Sequence, residues 1–182
     1  HCPLPVVACL ITQLNAAGSI YFTASHNPGR GYTIIKEDGS IVLVNNDGIK
    51  FNPADSGPAG EEITTPLTKL SNQLRREKFG KFWWEEILTA ETEEAEIEEL
   101  SFDKAFALYF KALEEVIDFG VIREAFRRRI IDYIVIDPKH GSATEYYRAI
   151  MQRLGLEEGI HFEFIHPEPD PSFTQLVDPK NN

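Results

Sequence analysis

The sequence predicts an α/β protein, three layers deep, with helices on both faces of a mixed and largely parallel sheet. Three observations carry this. The β-prone runs Ser19 to Thr23, Ile130 to Ile136 and Phe162 to Ile165 show little polar alternation, as in strands buried on both faces. Apolar stripes at helical spacing stand between these runs. Each run also feeds a loop rich in Pro, Gly or Asn, and such alternation of helix and strand is how a parallel sheet is built.

The elements follow in order. Val6, Val7, Leu10, Ile11 and Leu14 recur at helical spacing behind Pro5, so a first helix is expected over Leu4 to Ala17, with Gly18 as its stop. The run Ser19 to Thr23 is the first strand, and Ala24-Ser25-His26-Asn27-Pro28-Gly29 is the loop at its C-terminal end, where open α/β sheets bind ligands. Two β-rich runs around Asp38-Gly39 predict a hairpin over residues 31–44. Asn45 to Gly60 is mostly loop, with room for one short strand around Gly48-Ile49-Lys50-Phe51.

Glu61 to Phe82 reads as a helix in which Pro66 must sit near the start or make a kink. The glutamate run Glu85 to Glu99 is a solvated face or linker rather than a cation site, because clustered like charges at helical spacing repel unless water screens them. Phe102, Phe106, Tyr109, Phe110, Leu113, Val116 and Ile117 form an aromatic stripe, read as core rather than a cofactor box, with Ser101 as N-cap. Val121 to Arg129 continues as a short helix whose three terminal arginines suit the negative end of its dipole. After the strand Ile130 to Ile136 comes the loop Asp137-Pro138-Lys139-His140-Gly141. Ser142 and Glu145 then stand in capping-box spacing ahead of a helix that Gly155 ends. The last strand leads into His166-Pro167-Glu168-Pro169-Asp170-Pro171, too rich in proline to be regular.

Composition narrows the function. A compact fold of 182 residues buries roughly 70% of its extended surface, so a real core is affordable. With 29 acidic and 18 basic residues the net charge is −11, and no basic stripe offers itself to a phosphate backbone, so no nucleic acid partner is expected. No apolar stretch approaches the ~20 residues that span a bilayer, and no signal-peptide pattern opens the chain, so no membrane partner is expected. Cys2 and Cys9 lack zinc spacing and suit a reducing cytoplasm. The start at His1 rather than Met, already close to a helix, suggests a processed or truncated polypeptide.

Four loops hold the candidate chemistry: Thr23 to Pro28, Gly48 to Phe51, Asp137 to Gly141 and Pro167 to Phe173. Ser25 beside His26 admits an acyl-transfer reading, but no Gly-x-Ser-x-Gly elbow surrounds it and adjacent side chains seldom form a nucleophile-base pair, so residue chemistry alone favours a generic polar turn. Lys50 is either a functional cation or a lysine whose stem lies along Ile49 and Phe51.

Taken together the motifs narrow the choice. Thr23-Ala24-Ser25-His26-Asn27-Pro28, then Asp47-Gly48-Ile49-Lys50-Phe51-Asn52, then Ser56-Gly57-Pro58-Ala59 resemble the phosphoserine loop region of the α-D-phosphohexomutase family, in its phosphoglucomutase branch. Val135-Ile136-Asp137-Pro138-Lys139-His140-Gly141 and Glu168-Pro169-Asp170-Pro171-Ser172-Phe173 are similar to the opening strand and the next loop of that family's second domain. The resemblance implies an isomerase that interconverts hexose 1-phosphate and hexose 6-phosphate through hexose 1,6-bisphosphate. It implies that Ser25 carries the phosphoryl group, with Mg²⁺ on its phosphate oxygens, that Lys50 is an acid/base or phosphate-contacting residue, and that His26 lines the same site. The physics suits these residue types, since phosphoryl transfer asks mainly for positioning and charge neutralisation.

The sequence also departs from the family. The hairpin of residues 31–44 separates the serine loop from the lysine motif, and the family's earlier strands with their arginine loop are absent. So is the Asp-Gly-Asp-x-Asp-Arg string that holds the magnesium, and Asp170 and Asp178 do not replace it. On this resemblance residues 1–129 correspond to an incomplete first domain and 130–182 to the start of a second. Open sheet edges would then invite self-association, and the isolated chain would be inactive. Two alternatives remain at this point: a non-catalytic binding or regulatory module on the same fold, and a serine hydrolase built on Ser25 and His26.

Overall fold

A computed structural model of the chain describes residues 2–25, 27–29, 32–44, 48–78 and 98–173. His26 and Asp178, and the glutamate run except for Glu98 and Glu99, lie outside the described residues. The fold is α/β. Its elements are α1 (Leu4–Gln13), β1 (Gly18–Thr23), β2 (Tyr32–Ile35), β3 (Ile41–Val44), β4 (Gly48–Pro53), α2 (Glu61–Lys78), α3 (Phe102–Glu114), α4 (Phe119–Arg127), β5 (Ile134–Ile136), α5 (Thr144–Arg153) and β6 (Phe162–Phe164).

Among the described residues the strands pair in three two-stranded sheets, β1 with β4, β2 with β3, and β5 with β6. Parallel pairing, expected to dominate, is confined to β5 and β6, while the other two pairs are antiparallel. Connection length explains the difference. Among the described residues the chain from β1 to β4 holds no helix, and a parallel return needs a crossover of a dozen or more residues, usually helical, which α5 supplies between β5 and β6. The β2–β3 hairpin turns at Lys36 to Ser40, where Gly39 takes a φ of 78° and the Asp38 carboxylate accepts from the Ser40 amide at 2.9 Å.

Several boundaries move for local reasons. Helix α1 stops before Ala17 because Asn15 adopts the left-handed conformation, at φ 51°, and the Ala16 amide bonds back to Ile11 O at 2.9 Å. Strand β5 begins at Ile134 rather than Ile130. Arg129 is left-handed (φ 55°) and the Ile130 amide donates to Ala125 O at 2.8 Å, so these residues cap α4. The Ser142 capping box does not form: Ala143 is the N-cap, and the neighbouring Thr144 hydroxyl donates to Pro167 O at 2.6 Å. Ser101 does cap α3, accepting from the Lys104 amide at 3.3 Å, and Gly155 (φ 74°) ends α5.

The core lies in the second half of the chain. Phe110 of α3, Phe119 of α4, Leu154 and Leu156 at the end of α5, and Phe162 of β6 are all buried, and Phe110 stacks on Phe119 with ring centroids 4.8 Å apart. Of the aromatic stripe, Phe110 is core and Phe106 and Leu113 pack against it, whereas Phe102, Val116 and Ile117 are exposed. Helix α1 joins this body by burying Val6 and Ile11 and by packing on α3, where the Cys9 thiol faces Leu108 O at 3.9 Å. Burial and the Glu115 carboxylate push the Cys9 thiol up from its ordinary pKa.

The β1–β4 sheet differs from expectation most. Its register opposes Tyr21 to Lys50 and Phe22 to Ile49, so the period of two sorts the side chains into a polar face (Ser19, Tyr21, Thr23, Lys50, Asn52) and an apolar face (Ile20, Phe22, Ile49, Phe51). Strand β1 was expected to be buried on both sides, yet Phe22 is 77% exposed while Asn52, on the polar face, is 3% exposed. Tyr21 explains the orientation: its hydroxyl donates to the Cys2 carbonyl ahead of α1, which turns the polar face toward the body. Gly18 lets the two strands meet, because a Cβ there would lie 2.6 Å from Asn52 O. No helix among the described residues is long and apolar enough to cross a membrane.

Candidate functional site

The site is built from three strand ends. Strand β1 delivers Ser25 two residues past its last paired residue, in a turn where Ser25 takes a φ of 61° and its amide donates to Thr23 Oγ1 at 2.8 Å. Asn27 closes the turn by donating both its amide and its side-chain Nδ2 to Ala24 O, at 3.1 and 3.2 Å. Antiparallel pairing returns β4 alongside, with Lys50 on the same face as Tyr21 and Thr23. From there the Lys50 ammonium reaches forward and donates to Ser25 Oγ at 3.3 Å. Both groups are exposed. The hairpin of residues 31–44 does not keep them apart, because its two ends enter adjacent strands.

The other two strand ends come from the parallel pair. Parallel strands end on the same side, so β5 and β6 project their following loops, Asp137 to Gly141 and Ile165 to Phe173, side by side. His140 binds them together: its amide donates to His166 O at 3.1 Å, and its carbonyl accepts from the Asp170 amide at 2.9 Å. A carboxylate contact lies outside this clasp, with His166 Nδ1 3.1 Å from Asp137 Oδ1. Asp137 bears a desolvation cost that acts upward, but hydrogen bonds from the Lys139 amide and from His166 outweigh it and hold its carboxyl below the usual range.

These loops enclose a cavity of about 590 Å³ lined by residues that include Ser25, Asn27, Gly48, His140, Ser142 and Asp170. The Gly29 amide donates to Pro171 O at 2.8 Å and joins the serine loop to the proline-rich loop across that cavity. The four loops singled out in the sequence thus meet at one place. Ser25 and Lys50 are brought together, whereas His26 lies outside the described residues. His140, Ser142 and Asp170 were not among the candidate site residues, although a signal for them existed: both of their loops follow strands at the C-terminal end, as the serine loop does.

Toward a magnesium ion at Ser25 the described residues of the cavity supply one carboxylate. The Mg²⁺ ion asks for six oxygen ligands in a near-ideal octahedron. Asp170 is the acidic residue that shares the cavity with Ser25, and among the described residues no group of three or more His, Cys, Asp and Glu side chains could hold a metal.

Residues 1–78 match the family model described as phosphoglucomutase/phosphomannomutase, alpha/beta/alpha domain I. Phosphoglucomutase 1 of Drosophila melanogaster is 27% identical over 96% of this chain and 32% of its own length. The phosphoglucomutases of Aspergillus fumigatus and Komagataeibacter xylinus are 29% and 28% identical, over 91% and 95% of this chain and 28% and 27% of their own. The chain therefore spans between a quarter and a third of the length of these curated relatives. The serine loop and the lysine strand lie inside the matched residues, and the chain is similar to phosphoglucomutases over most of its length.

Proposed function

We propose that the chain carries the phosphoryl-bearing part of a mutase that interconverts hexose 1-phosphate and hexose 6-phosphate, glucose phosphates first among them. The observation that carries this reading is the 3.3 Å contact from Lys50 Nζ to Ser25 Oγ at the mouth of a strand-end cavity. Ser25 holds the phosphoryl group as an ester. In the forward transfer the Oγ–P bond breaks as a sugar hydroxyl attacks phosphorus and passes its proton to an oxygen of the transferring phosphoryl group, which returns it to the departing sugar oxygen in the second transfer, and the serine oxygen leaves with developing negative charge. The Lys50 ammonium already donates to that oxygen, so it stabilises the leaving charge and supplies the proton. In the return step Ser25 Oγ attacks the other phosphate of the hexose 1,6-bisphosphate and gives its proton back to Lys50. The cavity orients the sugar between the serine loop and the His140 loop. The free thiols of Cys2 and Cys9 suit a reducing cytoplasm, where sugar phosphates are handled.

The test is mass spectrometry of the full-length polypeptide that carries this sequence, after treatment with glucose 1,6-bisphosphate. A phosphate on Ser25 is expected, and an unmodified Ser25 in a polypeptide with mutase activity sinks the reading. The 182 residues alone are expected to show no turnover of glucose 1-phosphate, because they span between a quarter and a third of the relatives' length.

A further inference from the structure

His140 does more than line the cavity. It is 6% exposed and sits in left-handed backbone, φ 56°, directly after Lys139 at φ 52°. This tight turn is followed by Gly141, where a Cβ would meet Pro138 O at 2.8 Å. His140 Nδ1 lies 2.8 Å from Glu168 O. A carbonyl only accepts, so Nδ1 carries the hydrogen and Nε2 is left with a lone pair, buried and without a partner among the described residues. A buried polar atom left in this way is costly, and its presence indicates that the ring is placed for what its other nitrogen does. That nitrogen, together with the backbone N–H and C=O of the same residue, is spent on the loop from His166 to Asp170. The next residue of that loop, Pro171, accepts from the Gly29 amide and so holds the far end of the Ser25 loop.

We infer that His140 is a positioning residue for Ser25, acting through Glu168, Asp170 and Pro171 on the Gly29 end of the serine loop. The inference rests on the mutase reading for what the positioning serves, since a displacement of about 1 Å at a reacting oxygen is enough to slow transfer severely. The positioning itself is tested without chemistry, by amide hydrogen exchange of the intact chain. Replacing His140 with Ala removes the donor to Glu168 and is expected to speed exchange at the Gly29 amide about tenfold, the scale of one hydrogen bond. The core amides of α3 and α5 should keep their protection. Asn in the same place tolerates positive φ and offers a side-chain N–H at the Nδ1 position, so His140→Asn should return Gly29 close to its original rate.

Unchanged exchange at Gly29 in His140→Ala overturns the inference, as does equal loosening by Ala and Asn. If the Ala variant also loses core protection, the comparison passes to His140→Gln, whose donor sits where Nε2 was and cannot serve Glu168. Gln must then loosen Gly29 while Asn does not, and identical rates in the two overturn the inference. Absence of phosphate on Ser25 in the unmodified protein is a separate outcome that removes the mutase reading and leaves the exchange result standing on its own.

Discussion

The half of the chain that carries the candidate chemistry is the half with the less core. Residues 98–173 wrap Phe110, Phe119, Leu154, Leu156 and Phe162 into one cluster. The β1–β4 sheet turns Ile20, Phe22 and Ile49 to solvent and attaches to the body through Tyr21, through α1 and through the Gly29 to Pro171 bond. The difference shows a division of labour. The candidate serine stands on an open strand end, and its loop is held by hydrogen bonds to a well-packed neighbour rather than by burial. Stability and reactivity should therefore separate under mutation.

Lys50→Met is the most severe break of that comparison. Lys50 is exposed, so the unfolding midpoint in urea should stay within experimental scatter. The rate at which Ser25 takes phosphate from glucose 1,6-bisphosphate in the full-length polypeptide should fall by about 10²–10⁴, the range for losing a general acid or base. Equal losses of stability and rate would show that Lys50 holds the sheet rather than the chemistry.

The complementary change is Phe162→Ala. Phe162 is 1% exposed in the centre of the cluster, and its truncation should cost about 3–5 kcal/mol by urea denaturation. Phe22→Ala, on a side chain of almost the same kind but 77% exposed, should shift stability by less than about 0.5 kcal/mol. A large cost at Phe22 would mean that the apolar face of β1 is covered in solution.

The same contrast explains what the sequence revealed. The α3 stripe and the Gly155 stop were legible because they obey local rules, a period of 3.6 and a residue that accepts positive φ. So was the joining of Ser25 and Lys50, since a hairpin between two strands brings its own ends together. The facing of β1 was not legible, because Ile20 and Phe22 look like core residues and one hydroxyl, Tyr21 to Cys2 O, orients the sheet. Nor was the early end of α1 at Asn15 or the late start of β5 legible. In both cases a non-glycine residue takes a left-handed cap that propensity alone disfavours. His140 escaped because its role rests on carbonyls about 30 residues away, a contact no local pattern encodes.

The smallest expected effect is at the rim of the clasp. Asp137 is held below the usual carboxyl range by the Lys139 amide and by His166, against a desolvation cost. For a group whose folded pKa is depressed, the added stability is fully present above the unfolded value, near pH 4, and disappears as pH falls through the folded value. Wild type should therefore lose stability on the acid side of pH 4 in a way that Asp137→Asn does not. Because both partners are partly exposed, the difference at neutral pH should be no more than ~1 kcal/mol. Thermal unfolding of the two proteins across pH 2 to 7 measures it: the curves should lie parallel at neutral pH and converge as Asp137 protonates. Parallel curves over the whole range would mean that the backbone bonds of His140 hold the two loops alone, and would strengthen the contrast between a site placed by hydrogen bonds and a core placed by burial.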